Sequence, residues 1–213
     1  MKRLLRSLLV LVLFSAVASA QLRYEIGAGG GLSVSSFPKD IKDFYSSGFG
    51  GGLQGELMFT RNLGMRLNVD YLAFPSNKDK LKDASVAAAA AEGHVINGSL
   101  LDIKGLNISI LGVTMNAVGK IPVTQSLAPY AIAGVGIYAV SVSDASITYQ
   151  GQNIPGSGTG LPSTTKVGFD VGVGTELTFG VVGLYIEGKY TTILTENNNT
   201  NHFPVTLGVF LNL

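Results

Sequence analysis

The sequence predicts an all-β protein, an eight-stranded antiparallel up-and-down transmembrane β-barrel. Three observations support this fold class. Only 14% of the 213 residues are charged, apolar and polar residues alternate in eight segments, and short and long connections between these segments alternate along the chain. Because 46% of the residues are hydrophobic, an intrinsically disordered chain is excluded. The absence of cysteine excludes a disulfide scaffold and a thiolate zinc site. A net charge of +1 gives no reason to expect nucleic acid as a partner.

Residues 1–20 have the pattern of a secretory signal peptide. A basic start is followed by the apolar run Leu8–Phe14 and the small residues Ala18-Ser19-Ala20. The alternative is a retained membrane anchor, but the apolar run is shorter than the roughly 20 residues that span a bilayer. We therefore predict that residues 1–20 are a cleaved signal peptide and that residues 21–213 form the barrel domain. Loss of the three basic residues in this segment would leave 12 basic and 14 acidic residues, a net charge of −2.

Apolar and polar residues alternate in eight segments after residue 20. Successive side chains of a strand point to opposite faces, so this period indicates strands whose two faces meet different environments. No segment approaches 18 consecutive apolar residues, which excludes transmembrane helices. The predicted strands are Leu22–Ser35, Phe49–Thr60, Leu63–Phe74, Leu106–Val118, Pro129–Ser143, Lys166–Phe179, Leu184–Thr192 and Phe203–Leu213.

Two of these predicted strands are irregular. The fourth shifts phase near Ile110, which we interpret as a bulge. The fifth is apolar on both faces, and we expect its small residues to face inside: Ala131, Ala133 and Ala139.

Alternation alone is also compatible with a β-sandwich, but the lengths of the connections distinguish a barrel from a sandwich. Three connections are short: Thr60–Asn62, Gly119–Ser126 and Gly180–Gly183. Four are longer: Ser36–Ser47, Pro75–Gly105, Asp144–Thr165 and Ile193–His202. Short turns at one end and long loops at the other are typical of bacterial outer-membrane barrels, whose short turns are periplasmic.

The aromatic residues provide a second indication of a membrane barrel. If the first strand runs outward, aromatic residues of the apolar face collect at two levels, as the interfacial girdles of membrane barrels do. The periplasmic level contains Tyr24, Phe59, Tyr130 and Phe179. The outer level contains Phe49, Tyr71, Phe169, Tyr190 and Phe203.

Charged residues fall on the face that would line the lumen. An eight-stranded lumen is only wide enough for side chains to fill it, and charges in such an interior need partners. If Phe59 opposes Leu63 across the short turn, Glu56 faces Arg66. The charges are expected to form a network that plugs the barrel, with a narrow gated pore as the alternative. The predicted members are Arg23, Glu25, Glu56, Arg66, Asp70, Asp170, Glu176, Glu187 and Lys189.

Two motifs carry a family resemblance. Thr206, Gly208, Leu211 and Leu213 follow the pattern of the terminal strand that the barrel-assembly machinery recognises, and the segment Pro129–Gly136 is similar to a P-Y-x-x-x-G-x-G strand. Over residues 22–213 the chain resembles the small eight-stranded bacterial outer-membrane barrels, the group of the OmpA transmembrane domain, OmpX and OmpW. It departs from the group at Leu213, where phenylalanine is usual.

The resemblance implies a bacterial outer-membrane location and a structural or interfacial envelope role: membrane stabilisation and display of surface loops. The alternatives are a narrow channel for small or hydrophobic solutes, as in the OmpW branch, and a secreted soluble binding barrel. The expected partners are outer-membrane lipids and, during biogenesis, the barrel-assembly machinery. No sequence feature indicates an oligomeric state.

The sequence shows no pattern typical of a catalytic or metal site. Its two histidines, His94 and His202, are expected in loops, and neither has the serine two residues later that the lipid A deacylase pattern requires. No His, Asp or Glu cluster has metal-ligand spacing. We therefore predict no enzyme activity, no metal and no cofactor. In the longest loop, the alanine-rich segment Ala84–Glu92 predicts a short helix.

Overall fold

The computed structural model describes residues 22–36, 43–45, 47–154, 163–195 and 199–213, so the predicted signal peptide lies outside the described residues. Eleven strands and one α-helix occur in this part of the chain. In chain order they are β1 (Arg23–Ser36), β2 (Gly48–Met58), β3 (Leu63–Phe74), α1 (Lys78–Ala91), β4 (Leu101–Lys104), β5 (Ile108–Lys120), β6 (Leu127–Val142), β7 (Ser146–Tyr149), β8 (Gln152–Asn153), β9 (Thr164–Phe179), β10 (Val182–Ile193) and β11 (Thr200–Asn212).

Eight of the strands close into an antiparallel barrel in the order β1-β11-β10-β9-β6-β5-β3-β2. Each long strand pairs with the long strands before and after it in the chain, and β1 closes the sheet against β11, with Ile26 opposite Leu211. Full closure leaves no unpaired sheet edge, which a barrel in lipid requires. The predicted fold class, an eight-stranded antiparallel up-and-down barrel, is confirmed.

The two faces of the barrel wall differ as the period-two pattern predicts. Large apolar side chains point away from the lumen and are exposed in the isolated chain; Leu53 is 65% exposed and Val173 is 67% exposed. Most inward positions between them carry glycine, polar or charged residues, and a smaller number carry apolar residues such as Leu72, Ile110 and Ile132. Among the described residues, no helix is long and apolar enough to cross a bilayer.

The two irregular strands differ from their predicted geometry. Strand β5 alternates without a phase shift: its pairing with β3 is continuous, and Ile108 and Ile110 face the lumen. The apparent shift arises because these inward residues are apolar at one end of the barrel. In β6, Ala131 and Ala133 point outward and Ala139 is only half-buried, so the expectation that the alanines line the lumen was wrong.

Described residues of two long loops, 75–107 and 143–154, form a layer beyond one end of the barrel, which we call the long-loop end; the opposite end is the short-turn end. Strands β4, β7 and β8 make a small antiparallel sheet that was not predicted. The helix predicted in the longest loop is confirmed, although it begins earlier, at Lys78. The side chains of Leu101 and Ile103 in β4 are almost fully buried, so this layer has an apolar core of its own.

The start of α1 depends on a single capping residue. The side chain of Asn77 accepts a hydrogen bond from the backbone N–H of Lys80, which satisfies one of the free N–H groups at the helix start. We expect Asn77→Ala to destabilise α1 locally by about 1 kcal/mol. Hydrogen exchange of α1 amides should accelerate while exchange in the barrel strands is unchanged. Lys78→Ala, at an exposed position of the same turn, is the control, and equal acceleration in both variants would contradict the capping role.

Candidate functional site

The lumen near the short-turn end holds a buried ion network, the basal network, of Arg66, Lys120, Glu25, Glu56, Glu176 and Glu187. Arg66 on β3 is fully buried and contacts three of the glutamates. Its Nε donates to Glu56 Oε2 at 2.7 Å, its Nη1 donates to Glu187 Oε2 at 2.6 Å, and its Nη2 lies 3.3 Å from Glu176 Oε1. Glu56 is also the cross-strand neighbour of Arg66, which is the pairing that the short β2–β3 turn predicts.

Lys120, the last residue of β5, is the second cation of the basal network and was not predicted. Its Nζ lies 2.6 Å from Glu56 Oε1, 2.7 Å from Glu176 Oε2 and 2.8 Å from Glu25 Oε2. Oxygen atoms of these three glutamates lie within 4.8 Å of one another, an arrangement compatible with a metal ion. The ammonium group of Lys120 contacts all three, so the chain supplies its own counter-charge there.

Tyr130 belongs to the basal network and not to an aromatic girdle. It is only 4% exposed, its hydroxyl donates to Glu187 Oε2 at 2.9 Å, and Arg66 Cζ lies 4.8 Å from its ring centroid. The girdle assignment was wrong because β6 is apolar on both faces, so its inward face could not be identified from the pattern. With Tyr130, the network joins seven of the eight barrel strands, all except β11.

Removing the Tyr130 hydroxyl tests its contribution to the network. We expect Tyr130→Phe to lower the free energy of unfolding by about 2 kcal/mol, because the hydrogen bond to an ionised group is buried. Urea unfolding of the refolded barrel measures the loss. Tyr24→Phe, at an outward and exposed position, should change stability by much less. Equal stability of the two variants would show that the hydroxyl contributes nothing.

A second charged group, the upper cluster of Lys189, Asp70 and Asp170, lies farther along the lumen. Lys189 Nζ is 2.8 Å from Asp70 Oδ2 and 3.8 Å from Asp170 Oδ2. Asp170 Oδ1 accepts hydrogen bonds from the hydroxyls of Tyr138 and Thr191 at 2.6 and 2.9 Å. The predicted lumen charges therefore form two groups, not one continuous network.

A group of buried apolar side chains, the apolar seal, lies in the lumen at the long-loop end, beyond the upper cluster. Its buried members are Leu72, Phe74, Ile108, Ile110, Tyr138 and Ile193. A chamber of about 30 Å³ lies in the lumen, bordered by residues such as Gln54, Asn68, Lys189 and His202. This space holds about two water molecules.

Arg23 does not join the predicted lumen network. Its side chain is exposed at the start of β1, and among the described residues it forms no ion pair. Arg23 is the first residue of the strand, at the rim of the barrel, where water solvates its charge.

His202 also lies elsewhere than predicted. Strand β11 begins at Thr200, so His202 is part of the barrel wall and is only 3% exposed. Its ring packs edge-on against Phe74 and Tyr138, with centroid distances of 6.4 and 6.5 Å. His94 is exposed in the loop that follows α1.

The other predicted girdle residues lie on the outer surface of the barrel. Phe59 is half-buried just beyond β2, and the remaining seven are exposed: Tyr24, Phe49, Tyr71, Phe169, Phe179, Tyr190 and Phe203. In the predicted assembly signal, Leu211 of β11 and Leu213 just after this strand are exposed, and Thr206 and Gly208 lie at inward positions of β11. Both functional assignments stay predictions.

Known proteins share this fold at low sequence identity. Neisserial surface protein A is 17% identical, with a TM-score of 0.53 over 89% of this chain and 96% of that chain. Ail of Yersinia pestis, in complex with the heparin analogue sucrose octasulfate, is 13% identical, with a TM-score of 0.51 over 90% and 99%. A major outer membrane protein from Thermus thermophilus is 13% identical, with a TM-score of 0.51 over 91% and 100%. These identities show a shared fold alone.

No curated protein matches the chain in sequence. The sequence model of one protein family, described as the outer membrane protein beta-barrel domain, matches residues 7–209, almost the whole chain. The eight-stranded closed barrel has the outward apolar face that this family needs in lipid. The chain therefore belongs to the outer membrane protein beta-barrel family and is a protein of the bacterial outer membrane.

Proposed function

We propose that the barrel has a structural and interfacial role in the outer membrane, with a lumen closed to solutes and an ordered loop layer presented at the surface. The observation that carries this proposal is the presence of two groups of buried side chains at separate levels of the lumen. The basal network spans the lumen near the short-turn end, and the apolar seal lies in the lumen at the long-loop end. Between these two levels, the described part of the chain borders a chamber of about 30 Å³.

The basal network favours a plug over a pore because its cations are held by several partners at once. Arg66 and Lys120 each contact three glutamates. Moving Arg66 aside would leave Glu187 without a counter-charge, and moving Lys120 aside would leave Glu25 without one. In either case the four buried carboxylates would share a single cation, which costs several kcal/mol. Thermal fluctuations therefore open this level rarely.

The loop layer supports the display role. Helix α1 and the β4–β7–β8 sheet extend the long-loop end, which is the extracellular end in barrels of this kind. None of the helix residues is fully buried, so α1 presents most of its surface to the surroundings.

The sequence of β11 supports delivery by the barrel-assembly machinery. The exposed residues Leu211 of β11 and Leu213 just after it are available to a protein or lipid partner, and β11 forms the closing seam with β1. We propose this machinery and the outer-membrane lipids as partners.

The positions of the two histidines support a non-catalytic role. His202 is packed in the barrel wall, and His94 is exposed in a loop.

Conductance in planar bilayers tests the closed lumen. We expect the purified barrel to show no steady single-channel current, and the single variants Glu56→Gln and Arg66→Gln to remain silent because the apolar seal is intact in both. The double variant Arg66→Gln with Phe74→Ala weakens both the basal network and the apolar seal, and it is the variant in which we expect a current. A steady current in the unmodified protein that changes in Glu56→Gln or Arg66→Gln would favour the narrow-channel alternative.

A further inference from the structure

The mouth of the lumen at the short-turn end carries a polar depression of about 310 Å³, which we call the mouth depression. Residues of all three short turns and of the two seam strands, β1 and β11, border it. Its volume lies at the lower end of the range of small-molecule pockets, about 300–1,000 Å³. The charged residues that line it are Arg23, Glu25, Arg61, Lys120 and Glu176.

Two arginines of the mouth depression are available to a ligand. Arg23 lies two residues before Glu25 on β1, so both side chains lie on the lumen side of the strand. Arg61 lines the same depression from the β2–β3 turn. Both arginines are exposed, and within the described ranges neither forms an ion pair. The mouth therefore presents two guanidinium groups that have no counter-charge in this part of the chain.

The two carboxylates of the mouth depression already have a partner in Lys120. Its Nζ lies 2.8 Å from Glu25 Oε2 and 2.7 Å from Glu176 Oε2. A cationic ligand would have to displace this tethered ammonium group, whereas an anion can contact Arg23 and Arg61 without breaking an ion pair. Since the basal network below contains four glutamates and only two cations, an anion is expected at the rim and not deeper in the lumen.

Hydrogen bonds fix the backbone around the mouth depression. The backbone N–H of Lys120 donates to the Asn62 carbonyl at 2.8 Å, and the Asn62 side-chain amide donates to the Lys120 carbonyl at 2.8 Å. In the β5–β6 turn, Thr124 Oγ1 accepts from the backbone N–H groups of Ser126 and Leu127 at 3.2 and 3.0 Å. The hydroxyl hydrogen of Thr124 can therefore be donated to a ligand. A rim that is ordered before binding loses less conformational entropy on binding.

We propose that the mouth depression binds a small soluble phosphate monoester, with its phosphate group between Arg23 and Arg61. Guanidinium groups match the geometry of phosphate oxygens. A phosphate monoester carries about 1.5 to 2 negative charges at pH 7, which two guanidinium groups balance. The short turns of outer-membrane barrels are periplasmic, so the ligand would enter from the periplasm. This assignment does not depend on whether the lumen conducts.

Titration of the full purified barrel with methyl phosphate in detergent micelles tests the site. The readout is the NMR shift of the backbone amide signals of Thr124 and Ser126, at an ionic strength held constant with sodium chloride. We expect saturable shifts in the unmodified barrel, and at least about tenfold weaker binding in the double variant Arg23→Gln with Arg61→Gln. Acetate has the same methyl group but a single negative charge, and we expect it to bind at least about tenfold more weakly than methyl phosphate.

Two further double variants separate the two arginines from general surface charge. Lys78→Gln with Lys80→Gln removes two exposed cations of α1 at the long-loop end and should leave the affinity unchanged. Arg23→Lys with Arg61→Lys keeps both charges without the planar fork and should bind with intermediate affinity. Heat-modifiable gel mobility confirms that each variant is folded. Equal affinity of the unmodified barrel and the arginine-to-glutamine variant would overturn the proposal, as would equal affinity for acetate.

Lipid headgroups also contain phosphate, and nanodiscs distinguish this source from a soluble ligand. We expect the Thr124 and Ser126 signals to shift on addition of methyl phosphate both in phosphatidylglycerol and in phosphatidylcholine nanodiscs, because the mouth faces water. The same shifts in phosphatidylglycerol nanodiscs before any methyl phosphate is added would overturn the proposal, since a lipid headgroup would then occupy the site.

Discussion

Replacing Arg66 by methionine is expected to destabilise the barrel by about 3–5 kcal/mol, the usual cost of breaking a buried ion pair on one side only. The guanidinium group is completely buried and contacts Glu56, Glu176 and Glu187. Without it, Lys120 is the only cation left among the four glutamates of the basal network. Urea unfolding of the refolded barrel, followed by heat-modifiable gel mobility, measures the loss.

Two further variants separate charge from geometry at this position. Arg66→Lys keeps the charge but loses the planar fork that reaches three carboxylates at once, so its stability should fall between those of Arg66→Met and the unmodified barrel. Arg61→Met is the matched control, because Arg61 is exposed in the β2–β3 turn and should change stability by at most about 0.5 kcal/mol. Equal losses for Arg66→Met and Arg61→Met would show that the basal network does not stabilise the fold.

The sequence was sufficient for the parts of the barrel that depend on local pattern. The inward and outward faces of β1, β2, β3 and β9 follow from period two, because lipid and lumen impose opposite polarity on alternate residues. The pairing of Glu56 with Arg66 follows from the length of one short turn. Both inferences depend only on residues that are close in the sequence or paired across one hairpin.

Contacts across the lumen could not be predicted in the same way. Arg66 and Glu187 are 121 residues apart, and no local pattern reports which inward side chains meet across a closed barrel. Lys120 was missed for a different reason: glycine at position 119 was interpreted as the start of a turn, although β5 continues to Lys120. A glycine in a barrel strand can mark reduced side-chain volume as well as a turn.

The loop sheet was missed because its strands are too short to show a period. Strands β4, β7 and β8 contain four, four and two residues, which is at or below the lower limit of the about four to eight residues over which alternation is recognised. Their pairing is non-local, joining Ile103 to Ile147. Such a sheet is stabilised by burial of a few side chains above the barrel, which composition alone does not reveal.

Replacing Gly134 by valine is expected to destabilise the barrel by about 3 kcal/mol or prevent its folding, because added volume in a packed interior forces the backbone to move. Gly134 faces the lumen on β6, opposite Asn116, and a Cβ atom there would collide with the backbone carbonyl of Met115 and the Asn116 amide. Gly119→Val is the matched control on the adjacent strand, since the outward face at Gly119 has open space and a larger apolar residue there faces lipid. Refolding yield and urea unfolding distinguish the two variants. A loss of stability in Gly134→Val alone would show that the limited volume of the lumen requires glycine at this position. Equal losses of stability in both variants would instead show that both strands require the backbone flexibility of glycine.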